Sequence, residues 1–246
     1  MIDIRSRMKE HYYDIIRPIY PEDRIVGLFY YGSANYGVNT EFSDVDTKAI
    51  ILPDFEDIAF NKAPASYTIH LNSGECIDVK DIRLYLPQFR KCSCNFVEIL
   101  FTNYFVLNPA YATWWNQLLC IRESIAYYDP YKAIKAAGGM ASRVNHTTPK
   151  GKAEVLRIEE FISRYITGES YYKVLKSLKA DYLKSIKTGD FIIEDECVER
   201  ASENIKQMID DFTTLSMPNL LPKDKVDEII DNVQYNIMYE GVVKKI

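Results

Sequence analysis

A Gly-Ser pair and an Asp-Val-Asp triplet, each joined to an apolar run, constrain the fold of this chain more than any other feature. Gly32-Ser33 follows one apolar run, and Asp44-Val45-Asp46 opens another. Both runs are short and rich in branched and aromatic side chains, which is typical of buried β-strands. The sequence therefore predicts strands over 24–31 and 45–52, with polar groups where the first ends and where the second begins.

The spacing of the two aspartates predicts a metal site. Residues two apart on a strand face the same side, so Asp44 and Asp46 are expected to lie together, with Val45 turned away. Two neighbouring carboxylates are costly unless a cation neutralises them. Carboxylate oxygens suit Mg²⁺, which also binds substrate phosphates, and a Gly-Ser turn lets backbone N–H and hydroxyl groups approach a phosphate. The plainer alternative is a hairpin with an acidic rim.

Together the two motifs resemble the signature of nucleotidyltransferases of the DNA polymerase β superfamily. That signature is a hydrophobic strand, Gly-Ser, a short gap, and two aspartates separated by an apolar residue. Over roughly residues 25–105 the chain is similar to the predicted-nucleotidyltransferase branch linked to bacterial and phage RNA repair. The segments that carry this similarity are Tyr31–Gly37, Ser43–Lys48, Asn95 and Glu98–Phe101.

The resemblance implies an enzyme that moves a nucleoside monophosphate from an NTP to a hydroxyl acceptor. Two Mg²⁺ ions, or Mn²⁺ in their place, are the implied cofactor, and an RNA end is the favoured acceptor. Two alternatives stay open: nucleotidylation of a protein or small-molecule hydroxyl, and an NTP-binding module with weak or no catalysis. The sequence indicates neither the preferred NTP nor the oligomeric state.

Roles for individual residues also follow from the resemblance. Asp44 and Asp46 would hold the metal ions as catalytic ligands, and Gly32 and Ser33 would contact the triphosphate. The family has a third carboxylate on a later strand, and Asp78 is the candidate here. It alternates with apolar neighbours and so is expected on the polar face of its strand.

Asp81 is the alternative third carboxylate. Its place immediately before an apolar segment that begins at Ile82 is, however, more typical of a helix N-cap. Lys48 lies two residues beyond Asp46 on the same strand face. It is therefore expected to neutralise either a substrate phosphate or the acidic pair itself.

Lys150 and Arg157 complete the predicted nucleotide-binding residues. They are seven residues apart, which is two turns on one helix face. Related nucleotidyltransferases place a basic helix residue on the triphosphate. Glu154 stands between them, where the RNA-repair-linked branch has a histidine. The alternative is therefore an ion pair between Glu154 and Arg157, which would hold the arginine away from phosphate.

The overall pattern predicts an α+β fold with two parts. A nucleotidyltransferase-type mixed sheet with flanking helices is expected over 1–108, followed by a C-terminal helical bundle over 109–246 that closes the nucleotide cleft. This order of strands and then helices favours an α+β half followed by a helical half.

Within these parts, a helix is expected over 3–18, and a hairpin is expected to join strands over 67–71 and 76–79. After residue 80 the pattern is helical. One of these helices is expected to bury four residues at helical spacing, namely Leu175, Leu178, Tyr182 and Ile186.

Composition limits the class of protein. The chain has 246 residues and a net charge of −5. This charge argues against a protein whose whole surface is covered by nucleic acid, but not against a local basic groove. Its five cysteines form no disulfide pattern, and the first residues lack an apolar signal core, so a reducing cytoplasm is expected. No apolar run is long enough to span a bilayer, and no membrane partner is expected.

Overall fold

A computed structural model describes residues 3–215, 217 and 219–245. Over these residues the chain is α+β, as predicted, and its strands form one mixed five-stranded sheet. Its strands are β1 (Ile25–Tyr30), β2 (Thr47–Ile51), β3 (Ser66–His70), β4 (Cys76–Asp81) and β5 (Phe105–Leu107). Their order across the sheet is β3-β4-β2-β1-β5. β2 and β4 are parallel, and the other neighbouring pairs are antiparallel.

Thirteen α-helices lie in the described part of the chain. Seven short or early ones are α1 (Ile4–Glu10), α2 (Arg17–Ile19), α3 (Phe55–Ala59), α4 (Ile82–Tyr85), α5 (Cys94–Val97), α6 (Ala112–Cys120) and α7 (Arg122–Ala126). The remaining six are α8 (Pro130–Ala141), α9 (Pro149–Tyr165), α10 (Tyr171–Leu175), α11 (Ala180–Thr188), α12 (Asp195–Asp210) and α13 (Lys223–Gly241). A π-helical turn, His11–Ile16, joins α1 to α2, so the helix predicted over 3–18 is present. None of the helices described is long and apolar enough to cross a membrane.

The central strands are apolar because both faces of the sheet are covered. Every residue of β1 and β2 is buried, as expected for strands that lie between two layers. One face packs on the N-terminal helical segment through side chains such as Ile16, Leu28 and Val79. The opposite face joins the core of the helical region. Lys48 and Asp78 alternate with side chains of the first face and therefore lie on this second face.

α9 is the centre of the helical region. Its apolar face is buried, and α8, α11 and α12 pack against it. α13 returns to the first half of the chain, where it packs on α6, and Arg90 Nε donates to Asp227 Oδ1 at 2.5 Å. A single continuous hydrophobic cluster therefore contains side chains from the sheet and from the helices after residue 109.

Three details differ from the sequence predictions. β2 begins at Thr47, so Asp44 and Asp46 lie in the extended segment before the strand and not on it. β5 forms at the sheet edge beside β1, although only helices are predicted after residue 80, because three residues are too few to show a strand pattern. The helix predicted through Leu175 and Ile186 is broken between α10 and α11, and Leu178 is 79% exposed.

Candidate functional site

Hydrogen bonds to a buried glutamate fix the conformation of the Gly32-Ser33 turn. Gly32 has a φ of +108°, a conformation that costs a residue with a side chain far more than it costs glycine. Its N–H donates to Glu98 Oε2 at 3.0 Å, and Asn35 Nδ2 donates to the same oxygen at 3.1 Å. Glu98 is completely buried, and this burial raises the pKa of its carboxyl group. The turn is therefore fixed independently of any ligand.

Asp44 and Asp46 face the same side, as predicted, while Val45 is buried on the other. Cys76 N–H donates to Asp46 Oδ1 at 2.7 Å, and Tyr31 N–H donates to the Asp46 carbonyl at 3.2 Å. Partial burial, and then the nearby Asp44 charge, raise the pKa of Asp46. This carboxylate is therefore incompletely neutralised by the protein.

A polar cluster supports the Asp-Val-Asp segment on the side away from the cleft; its members His11, Thr47 and Glu75 are buried, and Arg7 and Ser73 complete it nearer the surface. Glu75 binds Arg7 and accepts from Ser73 Oγ at 2.8 Å. His11 Nδ1 lies 3.1 Å from Thr47 Oγ1. Although burial opposes the effect, the hydrogen bonds from Arg7 and Ser73 lower the pKa of Glu75 to about 2. The cluster fixes the backbone on both sides of Asp46, and the sequence gives no periodic signal that would identify it.

Asp78 and Lys48 form an ion pair. They are directly opposite each other in the parallel register of β2 and β4, and Lys48 Nζ lies 3.3 Å from Asp78 Oδ2. The ammonium group also lies 4.0 Å from the centroid of the Tyr31 ring. Lys48 thus neutralises Asp78, whereas the expected partners were phosphate or the acidic pair.

Asp81 has the structural role that its position predicts. Its side chain caps α4 by accepting from Arg83 N–H at 2.8 Å, and it also pairs with the Arg83 guanidinium at 2.6 Å. Asp78 alternates with buried neighbours on β4 and shares the face of Lys48. Of the two candidates for a third carboxylate, Asp78 is therefore the one that does not cap a helix.

A cleft of about 630 Å³ separates the sheet half from the helical half. Six of the predicted site residues line it: Gly32, Ser33, Asp44, Asp46, Lys150 and Arg157. Lys48 and Asp78 are not part of its lining. Residues far apart in sequence, which were assigned to a common site from separate motifs, therefore meet in one space.

Two lysines lie on the wall of the cleft that faces the aspartates. Lys150, in the first turn of α9, places Nζ 3.9 Å from Asp44 Oδ2. Lys187, near the end of α11, donates to Ser43 Oγ at 2.9 Å, and burial followed by the charge of Lys150 lowers its pKa. No described carboxylate forms an ion pair with Lys187. Sequence reasoning missed this residue because nothing in the sequence distinguishes it from Lys184 on the same helix or from the lysines shortly before that helix.

Arg157 is held by one neighbour on its own helix and by one aromatic ring from the sheet half. Its Nε and Nη2 donate to the two carboxylate oxygens of Glu154 at 2.9 and 2.5 Å. The guanidinium carbon lies 3.9 Å from the centroid of the Tyr36 ring. These contacts agree with the alternative in which Glu154 holds Arg157 away from phosphate.

We therefore expect Arg157→Ala to lower the free energy of unfolding by about 2 kcal/mol, because it leaves Glu154 unpaired and removes a cation–π contact. The dissociation constant for an NTP should change less than about threefold. Urea denaturation and a nucleotide titration of the same variant measure both effects. A loss of affinity of about tenfold or more would show that Arg157 contacts the phosphates.

No protein-family model matches the chain, and no curated protein matches it in sequence. The case for a function therefore depends on the cleft itself.

The donor atoms fit a hard divalent cation, and among the described residues two neighbouring carboxylates in the cleft are placed to bind it. Asp44 and Asp46 offer oxygens that suit Mg²⁺ or Mn²⁺, and a cation would offset the burial and the Asp44 charge that raise the pKa of Asp46. Among the described residues, no group of three potential ligand side chains surrounds a single point. Asp78 is occupied by Lys48, so it would have to leave that partner to become a third ligand.

Proposed function

We propose that this protein is a metal-dependent nucleotidyltransferase that moves a nucleoside monophosphate from an NTP to a hydroxyl acceptor, with an RNA end as the favoured acceptor. The observation that carries the proposal is the composition of the two cleft walls. The aspartates and the Gly32-Ser33 turn lie on one wall, and Lys150 and Lys187 lie on the other. This arrangement suits a triphosphate with a bound divalent cation between the walls.

In the reaction, an acceptor oxygen forms a bond to the α-phosphorus, and the bond from that phosphorus to the bridging oxygen breaks to release pyrophosphate. Asp44 and Asp46 would hold Mg²⁺ or Mn²⁺, which supplies charge stabilisation to the attacking and leaving oxygens when bound. Lys150 and Lys187 place positive charge where pyrophosphate becomes more negative. Ser33 and the rigid Gly32 turn orient the phosphate chain.

Asp78 is the proposed acceptor of the proton that the attacking hydroxyl loses. Its position on β4, the strand whose first residue donates a hydrogen bond to Asp46, and opposite Lys48 supports this assignment. Lys48 would then act as a positioning residue, because its ammonium fixes the Asp78 carboxylate between the strands. We propose that the reaction takes place in the cytoplasm, where cysteines such as those of this chain stay reduced.

The direct experiment supplies each α-labelled NTP in turn, with Mg²⁺ or Mn²⁺ and total RNA. Label in RNA is the expected result. Label on the protein or on a small product would assign another hydroxyl acceptor, while tight metal-dependent NTP binding without any labelled product would indicate a binding module. These outcomes separate the favoured acceptor from both alternatives.

Lys187 should contribute more to nucleotide binding than Arg157. A charge-assisted contact with phosphate contributes about 1.5 kcal/mol or more, so we expect Lys187→Gln to weaken NTP binding about tenfold or more. Binding of the corresponding nucleoside monophosphate should change much less. Lys184→Gln is the matched control on the same helix, because Lys184 pairs with Asp181 at 3.4 Å and does not line the cleft. Equal affinities for wild type and Lys187→Gln in a titration would contradict this role.

A further inference from the structure

A lysine-rich surface, formed by residues 172–192 and called here the lysine strip, lies beside the cleft. It contains five lysines and two aspartates, whereas the whole chain has a net charge of −5. The strip comprises most of α10, all of α11 and the turns next to them. Local positive charge in an acidic chain indicates a surface for a polyanion.

The strip leads directly into the cleft. Ser177 N–H donates to the Tyr36 carbonyl at 3.0 Å, which places the first turn of the strip against the loop that follows Gly32-Ser33. At the other end, Lys187 Nζ donates to Ser43 Oγ, next to Asp44. A chain molecule bound along the strip would therefore have one end near the aspartates.

Three lysines of the strip are available for an external partner. Lys173, Lys176 and Lys179 are exposed, and none forms an ion pair with a carboxylate in the described part of the chain. Lys184 is the exception in the strip because it pairs with Asp181. Lys176 Nζ donates to the Tyr172 hydroxyl at 3.2 Å, which leaves its charge unneutralised. Exposed lysines without a carboxylate partner, at short intervals, suit a ligand with a repeated negative charge, such as a sugar-phosphate backbone.

Aromatic side chains alternate with these lysines at the surface. Tyr172, Tyr182 and Phe191 are 39%, 40% and 47% exposed. The rings of Tyr182 and Phe191 lie 5.3 Å apart in an edge-to-face arrangement. Exposed rings among lysines are the combination that binds single-stranded nucleic acid, because bases stack on the rings while phosphates pair with the cations.

The backbone of the strip is fixed by α9. Arg164 donates to the carbonyls of Lys173 and Lys176 at 2.8 and 2.7 Å. Glu160 accepts from Ser177 Oγ and from Leu178 N–H at 2.5 and 2.6 Å. These bonds hold the turn between α10 and α11 in place. The lysines on either side therefore require little further ordering of the backbone when a ligand binds.

We infer that the lysine strip binds a single-stranded RNA and directs its end into the cleft, where the proposed transfer would use its hydroxyl. The inference rests on the proposed function for the identity of the acceptor. The surface itself is argued from charge, exposed rings and position. It also explains how a chain with a net negative charge can hold an RNA acceptor.

The test measures binding of a labelled RNA oligonucleotide at several salt concentrations, without NTP. In the triple variant Lys173→Gln/Lys176→Gln/Lys179→Gln, we expect affinity at low salt to fall about tenfold or more. The slope of log K against log salt should fall by about 2, at roughly 0.7 per lost phosphate contact on a single strand. The control variant carries the same charge change at the exposed residues Lys9, Lys91 and Lys206, and it should bind like wild type.

A second variant, Tyr182→Leu, tests stacking and should weaken RNA binding about fivefold or more while leaving NTP binding unchanged. The inference is overturned if the strip variant keeps wild-type affinity and slope, if the control loses as much, or if a polyglutamate peptide competes as well as RNA. The binding assay contains no NTP, so its result does not depend on the proposed transfer reaction. RNA binding that depends on the strip, in a protein that shows no transfer activity when NTP is supplied, would uphold the surface and reject the proposed enzyme. Full transfer activity in the strip variant would uphold the enzyme and reject the surface.

Discussion

Asp46→Asn should abolish nucleotidyl transfer while the fold stays intact. The substitution removes a charged oxygen ligand from the wall that would hold the metal ions, and we expect the rate to fall about a thousandfold, roughly 4 kcal/mol of barrier. The asparagine carbonyl can still accept the hydrogen bond from Cys76 N–H, which is 2.7 Å long in the wild type. The change therefore tests charge with little disturbance of shape.

The stability of this variant serves as its control. Burial and the charge of Asp44 raise the pKa of Asp46, so the ionised side chain destabilises the folded state at neutral pH. The Asp46→Asn protein should accordingly unfold at the same urea concentration as wild type, or at a higher one. Activity that stays within about tenfold of wild type, or roughly 1.4 kcal/mol, would contradict the assignment of Asp46 as a metal ligand.

Glu98→Ala should cause the largest loss of stability among the site variants. The change leaves the N–H of Gly32 without its acceptor, takes the shorter of two hydrogen bonds from the Asn35 amide, and opens a cavity beneath the turn. Unpaired buried donors cost about 1–3 kcal/mol each, so we expect the free energy of unfolding to fall by about 3 kcal/mol. NTP affinity should fall as well, because the turn that contacts phosphate loses its support.

Glu98→Gln is the matched control for this prediction, since it keeps the volume and one acceptor oxygen. It also tests the effect of burial on charge. Burial raises the pKa of Glu98, so the folded state binds more protons than the unfolded state above the ordinary carboxyl pKa. Wild-type stability should then decrease as pH rises through the pKa of folded Glu98. Urea denaturation across pH should show a smaller decrease for Glu98→Gln, and an unchanged slope would contradict a buried, titrating Glu98.

Sequence patterns predict the sheet well where a strand is long or alternating. The apolar runs correspond to β1 and β2, and the hairpin corresponds to β3 and β4. The edge strand β5 escapes prediction because it has three residues and forms only through its contact with β1. The break between α10 and α11 escapes for a similar reason: Glu160 and Arg164 fix that turn from another helix.

The candidate site is predictable where chemistry is local in sequence and unpredictable where it depends on pairing between elements. The motifs predict that the turn at Gly32 and the two aspartates share one site, and these residues line the same cleft. The pairing of Lys48 with Asp78 depends on the register between parallel strands, which the sequence does not display. Lys187 enters the cleft only because α11 packs against α9.

One measurement tests the proposed activity most directly. The protein is incubated with RNA, Mg²⁺ and the same NTP labelled either at the α-phosphate or at the γ-phosphate, and wild type is compared with Asp46→Asn. The proposal predicts that only the α-label enters RNA, that the γ-label leaves in pyrophosphate, and that Asp46→Asn incorporates neither. Incorporation of the γ-label, or equal incorporation of the α-label by both proteins, would contradict nucleotidyl transfer at this site.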